Sequence, residues 1–158
     1  MLEIGSTATD LDLEDTSGDQ IRLGGRHALL YFMRSTTCPV CNGHVRDLAK
    51  RADLFAAADV RVLIAVPEGR GEAAAWRARR GVPFEVVTGR SGTPHESVGL
   101  VRKVFGAMQQ SGSILLDRGG AVRHAHAATM PTAGYDRKGI LAAVGSLQRN
   151  DKRDSGRA

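Results

Sequence analysis

Near the N-terminus apolar and polar residues alternate twice, in Leu11-Asp12-Leu13 and Ile21-Arg22-Leu23, around the turn-forming stretch Asp15-Thr16-Ser17-Gly18-Asp19. This pattern predicts a β-hairpin, ended by Gly24-Gly25. Ala28 to Met33 is an unbroken apolar run of strand length, as expected for a central strand buried on both faces. After Pro39 the period changes. Val45, Leu48, Ala49, Ala52, Phe55 and Ala56 fall on one helical stripe, with Arg46, Asp47, Lys50 and Arg51 opposite. Asn42 and Gly43 are poor helix formers, so the first turns of this helix read as mobile. Arg61 to Val66 predicts the next buried strand, stopped by Pro67. Glu72 to Arg80 predicts a short helix anchored by Trp76 and closed by Gly81. Val82 to Val87 reads as a strand, Gly89 to Pro94 as a loop, and Val98, Val101, Val104 and Phe105 as one face of a short helix. Ser113–Asp117 and Ala121–Ala125, joined by Arg118-Gly119-Gly120, predict a second hairpin. Ile140, Leu141, Val144 and Leu147 mark a final amphipathic helix. Helices between the early strands imply right-handed parallel crossovers, and the late hairpin adds antiparallel strands. The expected architecture is α/β: a mixed sheet with helices on both faces.

Composition refines this picture. The chain has 158 residues, enough for one domain with a substantial core. The domain is expected over residues 1–149, with the polar stretch 150–158 as a disordered tail. Aromatic residues make up only 4%, so the core must be built from Ala, Val, Leu and Ile. The net charge of +5 is mild, and aromatic stacking partners are few, which argues against nucleic acid as a partner. Arg77, Arg79 and Arg80 with Lys152, Arg153 and Arg157 are read as a solvated face and tail. No run approaches the ~20 apolar residues that span a bilayer, so no membrane partner is expected. Met1 to Asp19 lacks the apolar core of a secretory signal, which makes the cytoplasm the expected location.

The chemistry concentrates at Cys38-Pro39-Val40-Cys41, which holds both cysteines of the chain. Pro39 suits the first position inside a helix, which makes Cys38 the cap and sets Cys41 one turn further in. Residues at i and i+3 share a helix face with Cβ atoms about 5–6 Å apart, so dithiol and disulfide are both accessible. A free thiol ionises near ~8.5, and a helix N-terminus lowers that value. Arg34 can add positive charge, and Thr36 and Thr37 offer hydroxyl donors. Cys38 is therefore the expected attacking thiol and Cys41 the resolving one. In a reducing compartment such a pair is more often catalytic than structural. A zinc site would need a second ligand pair, and only His44, His124 and His126 are at hand to complete one. His124 and His126 share a strand face, where solvent exposure is the commoner reason. Gly69-Arg70-Gly71 lacks the further residues of a phosphate loop and reads as an ordinary connection. No metal or organic cofactor is expected.

With these elements assembled, the chain resembles a thioredoxin-fold protein and, more narrowly, the alkyl hydroperoxide reductase and thiol-specific antioxidant family of peroxiredoxin-like proteins. The resemblance spans residues 2–148. It rests on the N-terminal hairpin, on Tyr31-Phe32-Met33-Arg34-Ser35-Thr36-Thr37-Cys38, and on Ser113 to Arg123 with Asp117-Arg118-Gly119-Gly120 at its turn. It implies that Cys38 is the peroxidatic cysteine, that Ser35 orients the peroxide, and that Gly112-Ser113 lie in a loop facing the site. Cys41 falls where thioredoxins keep their second cysteine. Three positions depart from the relatives: Tyr31 stands in place of the peroxiredoxin proline, Ser111 in place of an arginine, and Gly112 in place of the thioredoxin cis-proline. The resemblance implies a thiol-dependent peroxidase whose Cys38–Cys41 disulfide is reduced by a thioredoxin-type or low-molecular-weight thiol. Protein disulfide exchange and a non-catalytic redox-sensing module are the alternatives. Relatives often dimerise, so a homodimer is one expected assembly.

Overall fold

The computed structural model describes residues 1–103, 106 and 108–156. Along the chain come β1 (Leu13–Asp15), β2 (His27–Phe32), α1 (Pro39–Lys50), α2 (Ala52–Ala57), β3 (Val60–Ala65), α3 (Arg70–Arg80) and β4 (Glu85–Gly89). These are followed by α4 (Pro94–Ser97), β5 (Arg102–Lys103), β6 (Met108–Gln109), β7 (Ser111–Leu116), β8 (Val122–Ala128) and α5 (Arg137–Ser155). Six strands form one sheet in the order β1-β4-β3-β2-β7-β8. The β2–β3 and β3–β4 pairs are parallel, and the remaining pairs are antiparallel.

All six residues of β2 are buried, as its unbroken apolar run requires. Successive side chains of a strand point to opposite faces, so β2 divides the core in two. Leu29 and Tyr31 join Val45, Leu48, Phe55, Trp76, Ile140 and Val144 on one side. Ala28, Leu30 and Phe32 join Leu11, Leu13, Ile21, Val98 and Leu100 on the other. The crossovers β2-α1-β3 and β3-α3-β4 step in the same direction across the sheet. Right-handed connections then put α1 and α3 on the same face, where α5 joins them. The second face, expected to carry helices too, is covered mainly by the N-terminal segment and the connection containing the four-residue α4.

Three expectations are corrected. The N-terminal hairpin shrinks to a single bridge, Glu14 with Gln20. β1 pairs with β4 instead, because Leu13 gains full burial by joining the main sheet. No helix forms through Val98 and Val101: Val98 caps α4, and the chain turns extended into β5. Val104 and Phe105 lie outside the described residues. The tail from Asn150 continues α5 to Ser155, held by side-chain contacts that a residue-by-residue polarity reading cannot register. Asp151 pairs with His27 and Arg118, and Arg118 pairs with Asp59. Arg157 and Ala158 lie outside the described residues. Among the described residues no helix is long and apolar enough to cross a membrane.

One buried polar contact fixes the end of β2. His95 of α4 is fully buried, stacks edge-on against Phe32, and places Nε2 2.6 Å from the Met33 carbonyl oxygen. Burial holds its pKa down at about 4. The unfolded chain takes up that proton near ~6.5. Between these values the unfolded state binds more protons than the folded one, so stability falls as pH drops through this window. The expected loss is about 3 kcal/mol, measurable by urea denaturation from pH 7 to pH 4. His95→Gln should flatten the slope, and an unchanged slope would remove His95 as its cause.

Candidate active site

β2 ends in the core, and the chain must cross Met33 to Cys38 before α1 begins. Cys38 caps that helix with extended backbone, φ −71° and ψ 113°, and its sulfur accepts the Cys41 N–H at 3.3 Å. Pro39 occupies the first turn. Both cysteines are free thiols, with Cys38 2% exposed and Cys41 fully buried.

Water has little access here, so side chains from other elements satisfy the loop backbone. The Asn42 amide donates to the carbonyl oxygens of Thr36 and Cys38, both at 2.9 Å. Its own oxygen accepts the Trp76 indole N–H at 2.8 Å. Asn42, which reads as a helix weakener in sequence, is the buried tie between loop, α1 and α3. Glu68 Oε2 accepts both the Thr36 N–H and the Thr36 hydroxyl at 2.8 Å. Its Oε1 is buried with no partner.

The expected supporting residues divide. Arg34 turns toward the cysteines: Nη1 lies 3.8 Å from the Met108 sulfur, and its guanidinium acts on the Cys38 thiol. Thr36 is committed to Glu68, and Ser35 and Thr37 pair with each other at 3.2 Å on the surface. Gly112 and Ser113 do not lie in a loop. They sit inside β7, Gly112 opposite Phe32 and Ser113 opposite Tyr31. β7 starts at Ser111 because it is sandwiched between β2 and β8, and a side chain at Gly112 would collide with the His126 carbonyl. From this part of the chain β6 reaches Arg34, through Met108. Sequence reasoning missed Glu68, whose position after Pro67 carries no signal. It also missed the part of Trp76 that is polar.

The two thiols are set apart electrostatically. Burial alone would raise the Cys38 pKa, but the Cys41 thiol and N–H, together with Arg34, outweigh it and hold Cys38 below the ordinary thiol range. Burial and the neighbouring Cys38 push Cys41 up to about 11. Tyr31 lies beneath, with its hydroxyl 2.7 Å from His44 Nδ1 and within reach of the Cys41 thiol. Burial raises its pKa far above that of an exposed phenol. The histidines weighed as metal ligands are used otherwise: His44 bonds Tyr31, His124 faces Asp136 at 4.0 Å, and His126 Nε2 contacts the Ala133 carbonyl at 2.6 Å. No group of three or more His, Cys, Asp or Glu among the described residues is placed to hold a metal ion.

A cysteine pair opening the helix that follows the central strand of a mixed sheet is the layout of the thioredoxin-like fold. Solved structures agree. Peroxidoxin BcpB from Mycobacterium tuberculosis superposes with a TM-score of 0.74 at 17% identity, over 94% of this chain and 98% of that one. A Xanthomonas campestris peroxiredoxin Q structure superposes with 0.73 at 19% identity, over 94% and 96%. A peroxiredoxin-like protein from Aquifex aeolicus gives 0.76 at 13% identity, over 92% and 88%. Residues 4–125 match the model of the AhpC/TSA family, and the chain belongs to that family. It is 26% identical over 86 residues to peroxiredoxin Bcp of Bacillus subtilis (strain 168). That match spans about half of each protein, 52% of this chain and 55% of the relative.

The unequal thiols give a direct expectation. With limiting iodoacetamide at pH 7, label should enter Cys38 and leave Cys41 unmodified, as read by peptide mass spectrometry. Arg34→Met should slow the Cys38 reaction severalfold, because reactivity follows the thiolate fraction. Equal labelling of both thiols would contradict the assignment.

Proposed function

We propose that the chain is a peroxiredoxin-type thiol peroxidase. The observation that carries this reading is a Cys38 thiol at a helix N-terminus, ionised more readily than an ordinary thiol beside Arg34, in a member of the AhpC/TSA family. The Cys38 thiolate attacks one peroxide oxygen. The O–O bond breaks, the other oxygen leaves as water or alcohol after protonation, and Cys38 becomes a sulfenic acid. Cys41 then attacks the Cys38 sulfur, forming the disulfide and releasing water. Arg34 provides the positive charge that relatives take from an arginine where this chain has Ser111. Ser35 and Thr37, paired at the surface, are the hydroxyls available to an incoming peroxide. A thioredoxin-type protein or a low-molecular-weight thiol restores the dithiol, which suits the reducing cytoplasm, and neither metal nor organic cofactor takes part. The bacterioferritin comigratory protein of Xanthomonas campestris, for which alkyl peroxide reduction activity is described, has the same fold at 19% identity, which makes alkyl hydroperoxides the substrates to try beside hydrogen peroxide.

A second reading, protein disulfide exchange, is favoured by one feature: Val40, between the cysteines, is 37% exposed and offers an apolar contact to a docked protein. The test is stopped-flow oxidation of the reduced protein by one equivalent of hydrogen peroxide or cumene hydroperoxide. Trp76 fluorescence is followed, since its indole is tied through Asn42 to the Cys38 carbonyl. Loss of two thiols and one intramolecular disulfide are expected. Cys38→Ser should abolish the reaction, and Cys41→Ser should leave a sulfenic acid that dimedone traps. A rate no faster than that of a free thiol would overturn the peroxidase reading in favour of disulfide exchange.

A further inference from the structure

The Cys41 thiol must lose its proton in order to attack, yet it is buried and hard to ionise. A polar side chain that acts on it and leads on to a titratable group is Tyr31, bonded to His44. We infer that the Tyr31 hydroxyl and the His44 imidazole form a proton exit for Cys41, so that resolution of an oxidised Cys38 does not wait for free Cys41 thiolate. The inference rests on Cys41 being the resolving thiol, and it holds for any electrophilic sulfur at Cys38.

Tyr31 sits in β2 within the same core cluster as Cys41, its hydroxyl 2.7 Å from His44 Nδ1 and acting on the Cys41 thiol. His44 lies one turn beyond Cys41 on α1 and is half-buried, so its ring leads toward solvent. Tyr135 fixes that ring from the other side, with centroids 5.0 Å apart, and itself meets Tyr31 edge-on at 6.0 Å. Tyr135 is anchored by donating to Asp47 Oδ2 at 2.7 Å. The Asp47 carboxylate is in turn held by Arg51 at 2.9 Å and Arg137 at 3.5 Å.

In the resolving step the S–H electron pair of Cys41 becomes the new S–S bond. The thiol proton passes to the Tyr31 oxygen as the Tyr31 proton passes to His44 Nδ1. From a sulfenic acid the leaving hydroxide takes a solvent proton and departs as water. From a mixed disulfide the leaving group is a thiolate. Cys41 is oxidised as its electron pair reduces the Cys38 sulfur, and His44 returns its proton to solvent. Tyr31 is far too weak an acid to ionise by itself, which suits a conduit. His44 is held below the ordinary histidine range by burial, against the opposing charge of Asp47, so it is a free base at neutral pH. The groups facing His44 are Tyr31 from β2, Asp47 from its own helix and Tyr135 from the segment before α5. Arg51 at the end of α1 and Arg137 at the start of α5 are paired to Asp47.

A disulfide reagent tests this without peroxide. Reduced protein mixed with excess 5,5′-dithiobis(2-nitrobenzoate) should release thionitrobenzoate in two phases, the first from attack by Cys38 and the second from displacement by Cys41. Cys41→Ser should show the first phase only, which assigns them. In the wild type the second phase should hold its rate down to below pH 6.5 and fall only as His44 becomes protonated. In Tyr31→Phe and His44→Gln it should slow by about a hundredfold at pH 7, the usual size of a general-base effect, and should climb with pH toward the alkaline ionisation of Cys41. A first phase of full amplitude shows that each variant is folded with Cys38 in place. If either such variant keeps the wild-type second-phase rate and pH profile, the proton exit is wrong, whatever the reaction with peroxide shows. If neither variant gives a first phase, the wild-type profile decides: a second phase that tracks alkaline ionisation of Cys41 excludes the exit.

Discussion

The constraint on which the site depends is a dry backbone. The chain leaves a strand buried on both faces and enters a helix within six residues, and the backbone groups of Met33, Thr36 and Cys38, the buried residues of that connection, cannot turn freely to water. Each unmet buried group would cost about 1–3 kcal/mol. Three side chains from three separate elements remove that cost: His95 at Met33, Glu68 at Thr36, and Asn42 at Thr36 and Cys38. The cysteines are therefore placed by polar ties to α4, to the β3–α3 connection and to α3 through Trp76. The apolar packing of β2 sets only where the loop begins.

That scaffold explains why two cysteines three residues apart behave differently. Cys38 stands at the cap, where the unpaired amides of the first turn point at its sulfur, and Arg34 stands beside it. Cys41 belongs to the core side of the helix, packed among Tyr31, Val45 and Leu48. One thiol is stabilised as an anion and the other as a neutral group. A pair divided in this way has a defined order of attack, because the thiol that ionises more readily is the one at the helix cap.

Most of the fold is legible in the sequence, for reasons that also explain the exceptions. β2, β3, α1, α3 and the late β-hairpin are written in local periodicity, and Pro39 and Gly81 mark their helix ends as capping chemistry requires. The failures occur where a remote partner overrides the local signal. β1 reads as half of a hairpin but finds β4, some seventy residues later in the chain. Asn150 to Ser155 reads as a frayed tail but is drawn into α5 by Asp151 meeting His27 and Arg118. Within the site, Cys38, Cys41 and Arg34 are visible because their chemistry and spacing are local. Glu68 and Asn42 are not, since neither residue type signals that it will be buried against a loop. Gly112 and Ser113 were misplaced because the start of β7 is set by pairing on both sides.

Tyr31 shows how one substitution in a core brings others with it. A tyrosine in place of a proline restores a backbone donor to the central strand, and it also introduces a hydroxyl in the interior. A buried hydroxyl without a partner is destabilising, so the position is tenable only if an acceptor arrives with it. His44 is that acceptor, and a half-buried imidazole must in turn be oriented, which Tyr135 does from a ring plane tilted 33° to it. Tyr135 then needs Asp47, and Asp47 needs the arginines that keep it ionised. The chain of dependence runs from the floor of the sheet to the surface and passes beside Cys41. A network assembled to satisfy one buried oxygen thus ends as a polar path between the resolving thiol and solvent, and stability and chemistry here make the same demand on the same atoms.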